Sequence, residues 1–127
     1  MKALVTCAII EDKNRVLVVQ RSKDMDLPLK WEFPGGKIEK EESEQDCLKR
    51  EIKEELNLEI AILKRLSPTS YTYPNVSIEL IPFIAKQIGG ELKLNEHSDY
   101  KYCHKEELLN LDWAEADVPI VKEYLKL

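Results

Sequence analysis

The sequence predicts an α+β fold in which a mixed β-sheet is packed between helices. Several short apolar runs are bounded by turn residues, which is typical of strands. Two segments carry helical periodicity instead, and they are well separated along the chain. Many strands with two separated helices favour a mixed sheet covered by helices. The 127 residues suffice for one hydrophobic core, so we expect a single domain over residues 1–127.

The N-terminal part of the chain predicts strands and turns. Apolar runs at 4–10 and 16–21 indicate two strands, joined by a turn at 12–14 that contains Asp, Lys and Asn. A polar loop follows the second strand. Residues 31–33 then predict a short strand, which we expect Pro34-Gly35-Gly36 to end.

The first helix is predicted over residues 44–56. Ser43 is a favourable N-cap, and Asp46 occupies the capping-box position three residues later. Asn57 can adopt the left-handed conformation that ends a helix. An apolar stripe at four-residue spacing indicates the face that packs on the core, and it consists of Leu48, Ile52 and Leu56.

The second half of the chain predicts further strands and one more helix. Residues 58–66 indicate a strand, and 71–73 with 76–88 indicate a hairpin around Pro74-Asn75. Gly89-Gly90 predicts another turn. The remaining elements are a short strand at 100–103, a helical turn at 105–109, and a helix that begins at Asp117, carries Pro119 in its first turn and ends at Leu125.

The charge of the chain is concentrated in one window. The net charge is −5, and nine acidic with four basic residues at 39–59 account for all of it. No basic surface for duplex nucleic acid is therefore predicted. No membrane span is predicted either, because no apolar stretch approaches the roughly 18–20 residues required. The apolar run at the N-terminus lacks a small-residue cleavage signal and is interpreted as a strand.

The cysteines indicate a reducing environment. Cys7, Cys47 and Cys103 are odd in number and widely spaced, which matches neither a disulfide framework nor a zinc site. We therefore expect buried, reduced thiols in a cytoplasmic protein. Among the histidines, His97 is expected in the core or at its edge, and His104 on the surface.

Glu51, Glu54 and Glu55 share one face of the predicted helix, at positions that stability alone does not favour. The like-charged pair Glu51 and Glu55 costs roughly 0.2–0.5 kcal/mol. Glu54 and Glu55 also lie in the last turn, where the helix dipole favours cations. Carboxylate oxygens gathered for a hard divalent cation explain both features. A solvated acidic helix face is the simpler alternative.

The residues around these glutamates follow a fixed spacing. Gly36 is followed after five residues by Glu42 and, after seven more, by Arg50-Glu51-Ile52-Lys53-Glu54-Glu55-Leu56-Asn57-Leu58. This resembles the signature of the Nudix hydrolases, which cleave nucleoside diphosphates linked to another group. The match spans 23 residues and departs at one fixed position, where Asn57 replaces the family's glycine. Asn is the next most tolerant residue in a left-handed helix cap, so the exchange is mild.

The resemblance implies the Nudix fold, an α/β/α sandwich, and a metal-dependent hydrolase. The metal would be Mg2+ or Mn2+. Its ligands would be Glu51, Glu54 and Glu55, together with the carbonyl of Gly35 or Gly36. The two glycines also allow the backbone to turn sharply and to approach a bound group closely.

Further catalytic residues are implied by the same resemblance. Arg50 would pair with Glu54 or Glu42 and hold that carboxylate in place. Glu96 matches an additional acidic residue that the family carries on a mobile loop, where it would join the metal site. Either Glu51 or Glu96 would take the proton of the attacking water. A plain loop charge explains Glu96 equally well.

A more specific resemblance is to the MutT branch of the family. Residues 31–39 look like its approach to the signature, and 116–119 look like its base-reading segment. Enzymes of this branch, such as 8-oxo-dGTP diphosphatases and CTP pyrophosphohydrolases, convert a nucleoside triphosphate to the monophosphate and pyrophosphate. The resemblance implies a small nucleotide as substrate, with Arg21 near it and Phe33 lining the base pocket. A surface arginine and a core aromatic residue are the plain alternatives.

Asp117 is the position most informative about the base. By resemblance, the oxidised-guanine enzymes carry Asn there and the cytidine-preferring enzymes carry Asp. An ionised carboxylate only accepts hydrogen bonds, so it favours the exocyclic amine of cytosine over a carbonyl such as guanine O6. Protonation in an apolar pocket would weaken this preference. Alternatively, Asp117 simply caps the last helix.

The sequence leaves other functions open. Asn75 follows Tyr73 and Pro74 downstream of the signature, where other Nudix branches mark ADP-ribose or dinucleoside polyphosphates. A hairpin turn explains Pro74-Asn75 equally well. A non-catalytic nucleotide-binding module is the alternative from a different class. The sequence does not distinguish a monomer from a homodimer.

Overall fold

A computed structural model describes residues 2–127 and shows a mixed β-sheet with helices on both faces. The eight strands are β1 (Lys2–Asp12), β2 (Arg15–Gln20), β3 (Trp31–Glu32), β4 (Gly35–Lys37), β5 (Leu58–Arg65), β6 (Thr69–Tyr73), β7 (Val76–Gly90) and β8 (Asp99–His104). The helices are α1 (Glu44–Leu56) and α2 (Val118–Leu125), with two short 3-10 helices at Lys105–Asn110 and Glu115–Asp117.

The sheet is organised around a long parallel pair. Five strands follow the order β3-β2-β1-β7-β5, while β4 pairs with β1, β6 with β7 and β8 with β2. Strands β1 and β7 run parallel in a register that extends from Lys2 opposite Ser77 to Ile10 opposite Ala85. The other strand pairs are antiparallel, which makes the sheet mixed, as predicted.

The two helices cover opposite faces of the sheet, because successive side chains of a strand point to opposite sides. On one face, the apolar stripe of α1 packs against alternate residues of β1 and β2; the buried side chains include Ala8, Ile10, Leu17, Val19, Leu48, Ile52 and Leu56. On the other face, α2 packs against the intervening residues; these include Cys7, Ile9, Val16, Val18, Ile120, Val121 and Tyr124. The α/β/α layering expected from the resemblance is therefore confirmed.

Helix α1 begins and ends where the sequence predicts. The Ser43 hydroxyl accepts a hydrogen bond from the Asp46 amide at 3.1 Å, which satisfies one of the free N–H groups of the first turn. Asn57 adopts the left-handed conformation, with φ 57° and ψ 31°, and its N–H donates to the Lys53 carbonyl. These two residues fix the limits of the helix that carries the acidic face.

The strand that begins at Trp31 ends before Gly35, as predicted, but Gly35-Gly36 then belongs to a strand of its own, and the turn predicted at Gly89-Gly90 is wrong. Gly35-Gly36 forms β4, which pairs with β1, and a side-chain carbon at Gly35 would lie 2.0 Å from the Thr6 carbonyl oxygen. Gly89-Gly90 continues β7 opposite the start of β5, and a side-chain carbon at Gly90 would lie 2.3 Å from the Asn57 carbonyl oxygen. In both places glycine permits a close backbone approach within the sheet instead of forming a turn.

Other features agree with the sequence analysis. All three cysteines are free and buried, as expected. The hairpin around Pro74-Asn75 is formed by β6 and β7. Within residues 2–127, no helix is both long and apolar enough to cross a membrane.

Candidate active site

Arg50 lies at the centre of the acidic face of α1. Its Nε and Nη2 donate to the two carboxylate oxygens of Glu42 at 2.7 and 2.9 Å. Its Nη1 donates to Glu51 at 2.9 Å and to Glu54 at 3.3 Å. Both partners considered from the sequence, Glu42 and Glu54, are therefore confirmed, and Glu51 is added. The hydrogen bonds from Arg50, followed by one from the Glu39 amide, lower the pKa of Glu42 to about 2.

Glu51 occupies space that Gly36 leaves free. A side-chain carbon at Gly36 would lie 2.3 Å from the carboxylate carbon of Glu51. The Glu51 side chain is only 17% exposed, so this position is well defined by packing. The Gly36 carbonyl accepts from the Thr6 hydroxyl at 3.3 Å and faces the Cys47 thiol at 3.5 Å. The absence of a side chain at Gly36 thus leaves the space in which the Glu51 carboxylate lies.

Glu55 is the buried member of the predicted metal-binding set. It is 5% exposed, and its Oε1 has no hydrogen-bond partner. Burial raises the pKa of Glu55, and its contact with Glu51 and the negative charges of Glu32 and Glu96 raise it further. A buried carboxyl oxygen surrounded by other carboxylates gains from a nearby cation.

The loop after β7 is attached to the C-terminal end of α1. The Asn95 amide N–H donates to the Glu55 carbonyl at 3.0 Å, and its side chain donates to the Glu54 carbonyl at 2.7 Å. These bonds satisfy carbonyls that have no partner within the helix. They also hold the exposed Glu96 close enough to α1 for its charge to affect Glu55. Asn95 was not predicted as a site residue, because its partners lie about forty positions earlier in the chain.

The oxygen atoms of these carboxylates are the ligands that a hard cation prefers, but in this structure the carboxylates do not converge on a single point. Among residues 2–127, no three His, Cys, Asp or Glu side chains are arranged to hold a metal ion. Glu51 and Glu54 contact Arg50, and Glu54 is 57% exposed. The donor set is nevertheless entirely oxygen, which Mg2+ and Mn2+ prefer, and the unpartnered Oε1 of Glu55 lies within it.

A cavity of about 630 Å3 lies beside this cluster. Gly36 lines the cavity and also contacts Glu51, so the two regions meet at this residue. The four residues predicted to bind substrate all line the cavity, although they come from distant parts of the chain; they are Arg21, Phe33, Asn75 and Asp117. Gly35 and Glu32 line it as well.

Asp117 faces the cavity and does not cap α2 with its side chain. It occupies the N-cap position, but its carboxylate makes no capping hydrogen bond. Instead, Oδ2 accepts from the Phe33 amide at 2.9 Å. The prediction that Asp117 caps the last helix is therefore wrong for the side chain, because the carboxylate reaches across to the end of β3. Burial, and next the charge of Glu32, raise the pKa of Asp117.

Glu32 connects the cavity to a buried histidine and was not predicted. Its Oε1 lies 2.9 Å from Nη1 of Arg21, and its Oε2 lies 2.8 Å from Nε2 of His97. Arg21 is therefore half-buried in an ion pair, not a plain surface arginine. The sequence did contain a signal for Glu32, since a charged residue between two aromatic residues, Trp31 and Phe33, is expected to be half-buried. A half-buried carboxylate requires ion-pair or hydrogen-bond partners.

The aromatic residues form the apolar side of the cavity. Phe33 is 3% exposed, and its ring lies 4.9 Å from that of Trp113. It is therefore both a core residue and a wall of the cavity. Opposite it, the Tyr73 hydroxyl accepts from the Ala116 amide at 2.9 Å and attaches the β6–β7 hairpin to the segment that carries Asp117. Asn75 lies exposed at the tip of this hairpin.

The chain is similar to a well-defined group of proteins. The family described as NUDIX domain matches residues 1–124. The CTP pyrophosphohydrolase of Escherichia coli K12 is 32% identical over 123 residues, covering 97% of this chain and 91% of that protein. The putative 8-oxo-dGTP diphosphatase 2 of Mycobacterium tuberculosis is 35% identical over 103 residues, covering 80% and 73%. The solution structure of the E. coli ORF135 protein superposes with a TM-score of 0.88 at 31% identity, covering 99% of this chain and 90% of that one.

Proposed function

Because the chain belongs to the Nudix family of hydrolases, we propose that it is a nucleoside triphosphate pyrophosphohydrolase that releases a nucleoside monophosphate and pyrophosphate. One observation supports this proposal most directly. A cluster of carboxylates that includes the unpartnered Oε1 of Glu55 adjoins, through Gly36, a cavity lined by residues suited to a base and its sugar. A hydrolase of nucleoside triphosphates requires this combination of a cation site beside a nucleotide site.

We assign the metal site to the acidic face of α1. Mg2+ or Mn2+ would be held by Glu51, Glu54 and Glu55, with the carbonyl of Gly35 or Gly36. When bound, the metal would neutralise the polyphosphate and stabilise the charge that develops on the transferred phosphoryl group. The all-oxygen donor set and the free Oε1 of Glu55 support this assignment.

The chain's own residues would orient the substrate and accept a proton. Arg50 holds Glu51 and Glu54 from one side, so it acts as a positioning residue for the metal-binding carboxylates. The attacking water must lose its proton to a carboxylate, and Glu51 and Glu96 are both candidates. Glu51 is held by Arg50 and packing against Gly36, whereas Glu96 is exposed beside the C-terminal end of α1.

For the base, we propose cytosine or an oxidised purine. Asp117 and Glu32 both present carboxylates to the cavity, and an ionised carboxylate accepts a hydrogen bond from the amine of cytosine. The raised pKa of Asp117 favours its protonated form, which also donates and therefore tolerates 8-oxoguanine. The names of the two relatives, CTP pyrophosphohydrolase and putative 8-oxo-dGTP diphosphatase 2, correspond to these two bases. Hydrolysis of an oxidised nucleotide would remove it before it is incorporated into DNA. The free thiols support a cytoplasmic location.

A hydrolysis panel tests the proposal. Pyrophosphate release is measured with dCTP, CTP, 5-methyl-dCTP and 8-oxo-dGTP, and AMP release is measured with ADP-ribose, each with and without Mg2+. We expect Mg2+-dependent release from a cytosine or 8-oxoguanine nucleotide, and loss of this release in Glu51→Gln. Glu123→Gln, at an exposed site on α2, is the matched control and retains activity. Cleavage of ADP-ribose alone would indicate another Nudix hydrolase, and no turnover with nucleotide binding would indicate a non-catalytic binding module.

A further inference from the structure

His97 lies between the nucleotide cavity and the acidic face of α1. Its side chain is 2% exposed, and its Nε2 is 2.8 Å from Oε2 of Glu32. On the other side of the ring, Nδ1 lies 4.0 Å from Oε1 of Glu55. Within residues 2–127, two buried side-chain nitrogen or oxygen atoms lack a hydrogen-bond partner, and they are Nδ1 of His97 and Oε1 of Glu55. The two unpartnered atoms therefore face each other.

The distance between Nδ1 of His97 and Oε1 of Glu55 indicates how the two atoms interact. At 4.0 Å the two atoms are too far apart for a direct hydrogen bond. One water molecule between them satisfies both, since it donates one hydrogen to the imidazole nitrogen and the other to the carboxylate oxygen. Buried polar atoms are almost always paired with protein or with ordered water.

The ring can connect two sites because its nitrogens have different partners. An ionised carboxylate can only accept, so the hydrogen bond to Glu32 favours the Nε2–H tautomer, in which Nδ1 is an acceptor on the side of Glu55. Arg21 holds the other oxygen of Glu32 and lines the cavity. A continuous polar path thus extends from the nucleotide cavity to the helix that carries the acidic face.

We propose that His97 is a positioning residue that orients Glu55 for metal binding through one bridging water, with its own ring fixed by Glu32. The proposal rests on the function proposed above, because it concerns the same metal site. Polar groups that contact a metal ligand fix its orientation and influence metal affinity about 10–100-fold. The competing explanation is that His97 only anchors the loop after β7 to Glu32.

Two substitutions separate these explanations. In His97→Asn, the shorter side chain places its polar atoms near the position of Nδ1, on the side of Glu55. In His97→Gln, the longer side chain places them near the position of Nε2, on the side of Glu32. If His97 orients Glu55, Asn preserves metal affinity better than Gln does. If His97 only anchors the loop, Gln preserves the stability of the folded protein better than Asn does, and neither variant changes metal affinity.

The readout is the dissociation constant of Mn2+, measured by electron paramagnetic resonance without nucleotide. We expect His97→Gln to weaken Mn2+ binding about tenfold and His97→Asn to weaken it clearly less. The same two substitutions at His104, an exposed histidine on β8, are the matched controls and leave the constant unchanged. Equal affinity of His97→Gln and wild type, or weaker binding by Asn than by Gln, would overturn the inference.

A measurement on the wild-type protein covers the case in which a variant fails to fold. The ring nitrogens of His97 are observed by 15N NMR and assigned with His104→Gln, which removes the other histidine. We expect the Nε2–H tautomer, and a shift of the Nδ1 resonance as Mg2+ is added. The opposite tautomer, or an Nδ1 resonance unaffected by saturating Mg2+, would refute the proposal.

Wild type that binds neither Mn2+ nor Mg2+ and gives no turnover in the panel would overturn the proposed function together with this inference. Normal turnover with unaffected His97 variants would overturn the inference alone.

Discussion

The carboxylate of Glu51 lies where a side chain at Gly36 would be, 2.3 Å from the position of a side-chain carbon. Any larger residue at Gly36 must displace Glu51 or the backbone of β4. Because Glu51 is also held by Arg50, that displacement would break a defined ion pair. The glycine is thus required by a side chain that lies 15 positions later in the sequence.

We expect Gly36→Ala to lower kcat/KM about 100-fold or more, because a misplacement of about 1 Å has that effect in an active site. The folded structure should persist, since the displaced group is a side chain. Gly89→Ala is the matched control, because the closest atom to its added carbon is a carboxylate oxygen at the end of the exposed Glu59 side chain. Steady-state kinetics and thermal melting of both variants test this prediction. Normal kinetics in Gly36→Ala would show that the position of Glu51 is unimportant.

Arg50→Lys should reduce activity although the charge is kept. A lysine cannot reproduce the two parallel hydrogen bonds to Glu42 together with those to Glu51 and Glu54. We expect kcat/KM to fall on the order of tenfold or more at saturating Mg2+. Arg65→Lys changes a similar pair with Glu44 at the start of α1 and should leave activity intact. Similar losses in both variants would contradict a specific role for Arg50.

The stability of the protein should decrease in acid through Glu42. Its pKa falls from 4.5 to about 2 on folding. A carboxyl group with a lowered folded pKa stabilises the fold above its unfolded pKa and loses this contribution as the pH falls through the folded pKa. The free energy of unfolding, measured by urea denaturation, should therefore decline between about pH 4.5 and pH 2, and less steeply in Glu42→Gln. Glu106→Gln, an exposed glutamate, should keep the wild-type profile.

Glu55→Gln should separate stability from metal binding. Removal of a buried carboxyl group with a raised pKa favours the folded protein at pH 8 in EDTA, because no charge must then be desolvated. Wild type should melt at a higher temperature when Mg2+ is added, since a ligand that binds only the folded state stabilises it. Differential scanning calorimetry should show that Mg2+ no longer stabilises Glu55→Gln but still stabilises Glu59→Gln. Equal stabilisation of both variants would place the metal elsewhere.

Asp117→Asn should change the preferred base. Asn retains an acceptor for the Phe33 amide and presents a permanent donor toward the cavity, whereas Asp donates only in its protonated form. The ratio of kcat/KM for 8-oxo-dGTP to that for dCTP should therefore rise, by about tenfold for one hydrogen bond. Asp112→Asn, at a carboxylate 73% exposed, is the control. An unchanged ratio would mean that Asp117 does not contact the base.

The sequence predicted those features that depend on local chemistry. Ser43 and Asn57 define α1 because capping is decided within a few residues. The spacing from Gly36 to Leu58 likewise indicated both the family and the acidic face. The assignment of catalytic and metal-binding residues, and the single-domain organisation, stay predictions.

The missed features depend on contacts between distant parts of the chain. Gly35 was expected only to end a strand and Gly89 to form a turn, because a glycine in a sequence does not show whether it serves a turn or a close contact between strands. The contact between Glu32 and His97 was not predicted, because 65 positions separate the two residues in the sequence. Only the tertiary fold places the loop after β7 beside both β3 and α1.

The register that sets Lys2 opposite Ser77 also has a consequence for folding, because it pairs segments that are far apart in the sequence. β1 is a central strand, yet its parallel partner β7 begins only at Val76, in the second half of the chain. Contacts between such distant segments close slowly, because the loop entropy is lost before the contacts form. We therefore expect the edge of β1 that pairs with β7 to stay open until β7 is available, and we expect aggregation to compete with folding in this interval.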